Sequence, residues 1–138
     1  MDGVFDLFHR GHIEAIKKCL EFGDELVIGV VSDKSCESYK RQPIINETDR
    51  VEILKNIKDV SEVIFPCRLI VDEKFINDNK LDLIVHAFAN EADFEKQKTF
   101  FKVPISLNKF KYINYYDKTS TTDIINKIKN SKNKKFIK

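Results

Sequence analysis

A chain of 138 residues is the length of one domain, large enough to bury its own core and short of what a second would need. Hydrophobic residues make up 42% and charged residues 33%, an ordinary globular balance, and a net charge of +2 gives no reason to expect nucleic acid as a partner. No apolar run approaches the ~20 residues of a membrane-spanning helix, and the first residues lack the basic-then-apolar order of a secretory signal, so the expected location is cytoplasmic.

In chain order, "DGVFDLF" (2–8) is a strand-like apolar run that stops at His9 and His12. "GHIEAIKKCLEFG" (11–23) then sets Ile13, Ile16, Cys19 and Leu20 at helical spacing, with Gly23 just past the end. "ELVIGVVSD" (25–33) is nearly continuous Val and Ile, the pattern of a strand buried on both faces of a parallel sheet. "NETDRVEILKNIKD" (46–59) opens on Asn46 as an N-cap, and "VSEVIF" returns to strand. A short helix over 71–80, a strand over 81–88, a helix near 92–101, a strand over 111–116 and a helix over 119–129 follow. This alternation predicts an α/β, Rossmann-like parallel sheet with helices on both faces, its first strand truncated because Met1 stands directly before Asp2-Gly3. Ligands of such sheets sit at the carboxyl ends of the strands. Residues 1–130 form the domain, and 131–138 form a basic, flexible tail that could touch an anionic surface. Cys19, Cys36 and Cys67 form no CxxC pair and read as free thiols in a reducing compartment.

Two imidazoles on the first turn of a helix admit three chemistries. Metal binding is one, since His at i and i+3 can face the same way; only Asp6 and Glu14 stand near as further ligands, so no metal is assigned. A structural reading has one histidine capping the helix and the other packed in the core. The third is phosphate chemistry, in which the N–H groups and positive end of the helix draw in an anion and the imidazoles donate to phosphoryl oxygens as charge builds. Gly11 permits the close approach that any side chain would block. Farther on, Ser120-x-x-Asp123 has the spacing of a helix cap and offers a second helix start rich in hydroxyls.

His9-Arg10-Gly11-His12 after "DGVFDLF" resembles the HxGH signature of the nucleotidyltransferase superfamily. The likeness is to its cytidylyltransferase branch, which acts on phosphocholine, phosphoethanolamine and glycerol 3-phosphate. "SDKSCESYKRQPIINETDR" (32–50) is similar to the family stretch that puts a lysine, here Lys40, on the triphosphate and an arginine, here Arg50, in the next helix. "TSTTDIINKI" (119–128) matches the second half of the family's C-terminal signature. The resemblance implies transfer of CMP from CTP, with Mg²⁺, to a phosphorylated alcohol, phosphoethanolamine or phosphocholine first, releasing pyrophosphate. His9, His12 and Lys40 would be catalytic. Gly3, Val4, Phe5, Gly11, Arg50, His86, Ser120, Thr121 and Thr122 would bind nucleotide, and Asp6 would orient the histidine turn on the substrate side. By the same analogy the chain is a homodimer.

The sequence departs from that pattern in places. Tyr115 occupies the position of the family's phosphate-binding arginine, with Lys111 and Lys118 the nearest cations to replace it. His86-Ala87-Phe88 lacks the acids of the family's nucleobase segment, and Ser61 replaces another acid. Two other readings therefore stand beside the first: a non-catalytic nucleotide-binding copy of the fold, and an adenylyltransferase using ATP.

Overall fold

The structure, a computed structural model, describes residues 1–131. Except for Ser131, the expected basic tail lies outside the described residues.

Strands β1 (Asp2–Gly3), β2 (Val27–Val30) and β3 (Glu62–Ile64) form a parallel sheet in that order, and β4 (Ile84–Phe88) and β5 (Phe110–Asn114) form a second parallel ladder. The two ladders meet where β1 lies beside β4, and there the Asp2 carboxylate is 2.7 Å from His86 Nδ1. From that seam the chain winds outward in both directions, to β3 on one side and β5 on the other. The seam is thus a topological switch point of a Rossmann-like α/β sheet, the place where such folds open a crevice. Strand β1 is short: Asp2 stands opposite Gly29 and Gly3 opposite Val30, and Met1 adds hydrogen bonds to β2 through its ammonium on Val27 O and its carbonyl on Gly29 N.

Helix α1 (Arg10–Leu20) buries Ala15, Ile16 and Cys19 against Ile28, Val30, Leu54, Val85 and Ile113. Ile13, expected on that face, is 41% exposed. A second apolar cluster of Val71, Ile76, Ile84, Phe88 and Phe101 fills the space beside β4. The strand expected to run to residue 33 ends at Val30. Ser32 then caps α2 (Asp33–Tyr39), its Oγ accepting from Ser35 N at 3.2 Å. Cys36 is the only buried residue of α2, so the sequence had no apolar period to display there. Helix α3 (Glu47–Lys55) starts at the Asn46 cap as expected, the amide oxygen accepting from Asp49 N at 2.9 Å.

Helix α4 (Glu73–Asp78) precedes β4. After it come α5 (Glu91–Gln97), a 3₁₀ turn (Lys98–Phe101) and α6 (Lys102–Ser106), where the sequence predicted one helix. Helix α7 (Thr121–Asn130) begins at Ser120, whose Oγ accepts from Asp123 N at 3.0 Å, the predicted cap. All three cysteines are free and buried. No helix among the described residues is long and apolar enough to cross a membrane.

Candidate active site

At the switch point a cavity of about 460 Å³ opens between the β1–α1 turn, the end of α2, the tip of β4 and the start of α7. That volume lies within the roughly 300–1,000 Å³ of small-molecule sites. A second cavity of about 470 Å³ lies at the opposite end of the strands, where Asp2, Asp24, Glu25 and Asp82 outnumber Lys80 and no histidine is present. Its acids oppose an anionic ligand, so volume does not decide between the two; chemistry does.

His9 is the N-cap of α1, with Nδ1 accepting from Gly11 N at 2.9 Å, while His12 Nδ1 accepts from His9 N at 3.1 Å. The capping and phosphate readings of these residues are therefore compatible. With both Nδ1 atoms accepting, each neutral ring carries its proton on Nε2. His9 Nε2 lies 3.2 Å from Thr121 Oγ1, whose hydroxyl in turn donates to Asp6 O at 3.0 Å, so His9 is the donor in that pair. One hydrogen bond thus joins the amino-terminal tips of α1 and α7. Burial lowers the His9 pKa, and burial with the neighbouring His9 and Lys40 pushes His12 down to about 3, against the raising effect of Asp6. Gly11 is required by proximity: a Cβ there would stand 2.6 Å from the His9 ring and 3.0 Å from Thr119 O.

Asp6 is nearly fully buried, and both its oxygens are occupied. Oδ1 accepts from Leu7 N and Ile45 N, and Oδ2 from Ile44 N and Arg41 Nη1. Burial disfavours this carboxylate, but the Ile44 and Ile45 N–H groups and Arg41 outweigh it and lower its pKa. Asp6 is therefore the anchor of the 40–46 strap, not a free substrate ligand. Phe5 and Leu7, on either side of it, hold left-handed backbone (φ 57° and 48°), strain that the surrounding hydrogen bonds maintain.

The cavity wall includes Gly3, Val4, Phe5, Asp6, His9, Gly11, His12, Lys40, His86, Ser120, Thr121 and Thr122. Arg50, expected at the nucleotide, is not among them. It is fully buried, with Nε on Ile45 O, Nη1 on Val4 O and Val31 O, and Nη2 on Asp33 at 2.6 Å, so its donors staple the turn, β2 and the strap together. Gly3 and Val4, expected to bind nucleotide, line the cavity, with their carbonyls taken by Val31 N and Arg50. Phe5 packs its ring on His12, centroids 5.4 Å apart. Nor do Lys111 and Lys118 replace the missing arginine: neither lines the cavity, and Lys111 Nζ lies over the Phe22 ring. Sequence reasoning missed Asp2, Tyr39, Arg41 and Thr119 as wall residues. Arg41 was legible as the immediate neighbour of Lys40, and Thr119 as the first residue of the stretch 119–128 that matches the family's C-terminal signature.

The sequence model of the family described as Cytidylyltransferase-like matches residues 1–127. The chain belongs to this cytidylyltransferase-like family. It is 32% identical over 132 residues to an ethanolamine-phosphate cytidylyltransferase of Arabidopsis thaliana, covering 93% of this chain and 31% of that protein. It is 35% identical over 133 residues to an FAD synthase of Pyrococcus horikoshii, covering 91% and 88% respectively. Among solved structures, a lipopolysaccharide core biosynthesis protein from Thermoplasma volcanium superposes with a TM-score of 0.65 at 30% identity, over 84% of this chain and 94% of that one. The chain spans about a third of the length of the ethanolamine-phosphate cytidylyltransferases it matches. As for the ion expected with CTP, no group of three or more His, Cys, Asp or Glu among the described residues is placed to hold a metal. Both Asp6 oxygens are already bonded, so Asp6 does not offer a free carboxylate to a Mg²⁺ ion.

Proposed function

We propose that the protein is a nucleotidyltransferase that moves CMP from CTP to a phosphorylated alcohol, phosphoethanolamine or phosphocholine, with release of pyrophosphate. The observation that carries this reading is the pair of helix tips joined at His9 Nε2 and Thr121 Oγ1, 3.2 Å apart, on a cavity that also holds His12 and Lys40. Two positive helix ends and two neutral imidazoles with their protons on Nε2 suit a polyphosphate. An oxygen of the acceptor phosphate attacks the α-phosphorus in line, forming a new P–O bond as the bond to the β-phosphate oxygen breaks. The chain supplies no covalent intermediate. It orients the groups and donates hydrogen bonds to the oxygens on which charge builds. On binding, His9 Nε2–H and His12 Nε2–H turn to the α-phosphate oxygens, the Ser120–Thr122 turn receives the distal phosphates, and Lys40 closes from the opposite rim.

A second reading, adenylyl transfer from ATP, is favoured by one observation. The chain is 35% identical over 133 residues to the FAD synthase, against 32% over 132 residues to the Arabidopsis enzyme. Pyrophosphate release measured with CTP or ATP against a panel of phosphoethanolamine, phosphocholine, glycerol 3-phosphate and flavin mononucleotide separates the two. Turnover only with CTP and a phospho-alcohol is the expected result. Turnover only with ATP selects the second reading, and nucleotide binding without turnover overturns both.

A further inference from the structure

We propose that Arg41 grips the terminal phosphates of the nucleoside triphosphate; this rests on the nucleotidyl-transfer reading and names the residue that would secure its most highly charged group. Among the arginines, Arg10 lies outside the cavity, paired with Glu14 and stacked on Tyr116, Arg50 is buried with its donors taken, and Arg68 pairs with Asp72. Arg41 alone of them lines the cavity wall, and its side chain is 40% exposed. Its Nη1 donates to Asp6 Oδ2 at 3.0 Å and to Gln42 O at 3.2 Å, whereas Nε and Nη2 make no hydrogen bond to any described residue. Those two N–H groups form the parallel fork that suits phosphate oxygens.

Asp6 shows why the fork is both available and held in place. Its carboxylate already accepts the backbone N–H groups of Leu7, Ile44 and Ile45, so it does not require the whole guanidinium. One edge of Arg41 is pinned and the other is presented. Asp6 also places Arg41 near the phosphate chemistry, because its carbonyl receives the Thr121 hydroxyl that bonds His9. With the α-phosphate at the imidazoles and the distal phosphates at the Ser120–Thr122 turn, the larger negative charge of the β and γ groups is met from the opposite rim by the adjacent Lys40 and Arg41. No other lysine or arginine among the described residues lines the cavity.

Titration calorimetry of wild type, Arg41→Gln and Arg41→Lys with CTP, ATP and CMP tests this. Arg41→Gln should weaken the preferred triphosphate about tenfold or more, as loss of a charge-assisted pair of hydrogen bonds implies. Arg41→Lys, which keeps a cation beside Asp6 but has no fork, should also weaken it. CMP binding should stay within about twofold in both. Equal loss for CMP and triphosphate would mean that Arg41 acts only by holding the strap, and unchanged triphosphate affinity would overturn the assignment outright, as would a loss confined to the KM of the phosphorylated acceptor. If Arg41→Gln fails to fold, Arg41→Lys decides, because its ammonium keeps Asp6 paired. A wild-type chain that binds no triphosphate overturns the nucleotidyl reading and this assignment together, and so is distinguishable from failure of Arg41 alone.

Discussion

The Nδ1 atoms of His9 and His12 accept backbone N–H groups of the turn that both residues belong to, so helix capping itself sets the tautomer that phosphate binding requires. His12→Asn separates the two roles, since an amide oxygen can still accept from His9 N but the Nε2–H donor is gone. Nucleotidyl transfer should fall at least about a hundredfold with an unchanged circular dichroism spectrum. The lowered His12 pKa also has a stability consequence. A histidine depressed to about 3 when folded stays neutral while the unfolded chain takes up a proton below the ordinary value of 6.5, so stability is full above that value and declines as pH falls. Between pH 6.5 and 5 the loss from this residue is at most about 2 kcal/mol. Asp2 and Asp6, whose folded values lie below the ordinary carboxylate value, contribute stability that is lost only at still lower pH. Urea unfolding at pH 7 and pH 5 should therefore show a smaller acid loss in His12→Asn than in wild type.

Between elements, the site depends on how closely the α1 and α7 tips approach. A methyl group at residue 11 has no room beside the His9 ring and Thr119 O, so Gly11→Ala must displace the imidazole or part the helices. Its turnover should fall at least about tenfold, since misplacing a catalytic group by about an ångström costs that much or more. Ser120→Ala removes the side-chain cap of α7 and should lower stability by about 1 kcal/mol in urea unfolding. The α2 helix and the strap after it are the part of the site least visible in the sequence. Cys36 gives α2 one buried side chain, and the strap's conformation comes from Asp6, 38 residues before Ile44.

For the molecule as a whole, Arg50 joins the turn after β1, the residue after β2, the strap and Asp33 at the start of α2. A fully buried guanidinium with those partners cannot be replaced by a single ammonium. Arg50→Lys should destabilise the chain by about 3 kcal/mol or more, read from urea midpoints. If stability were preserved and triphosphate affinity lost instead, Arg50 would be a ligand residue after all. The Asp2–His86 contact plays the corresponding part across the seam, where the short β1 leaves the two ladders without a shared backbone register.

The alternation of Val and Ile runs with amphipathic stretches was enough to specify a parallel α/β sheet, because apolar period reports local burial directly. The caps at Asn46 and Ser120 and the paired histidines were equally legible, since each is made by neighbours in sequence. What only the tertiary structure decided was the use of the charges. Arg50 and Arg41 are both arginines near a loop, yet one is sealed among carbonyls from distant segments and the other faces the cavity. A charged side chain takes its role from the partners that folding brings to it, and those partners leave no periodic trace in the chain.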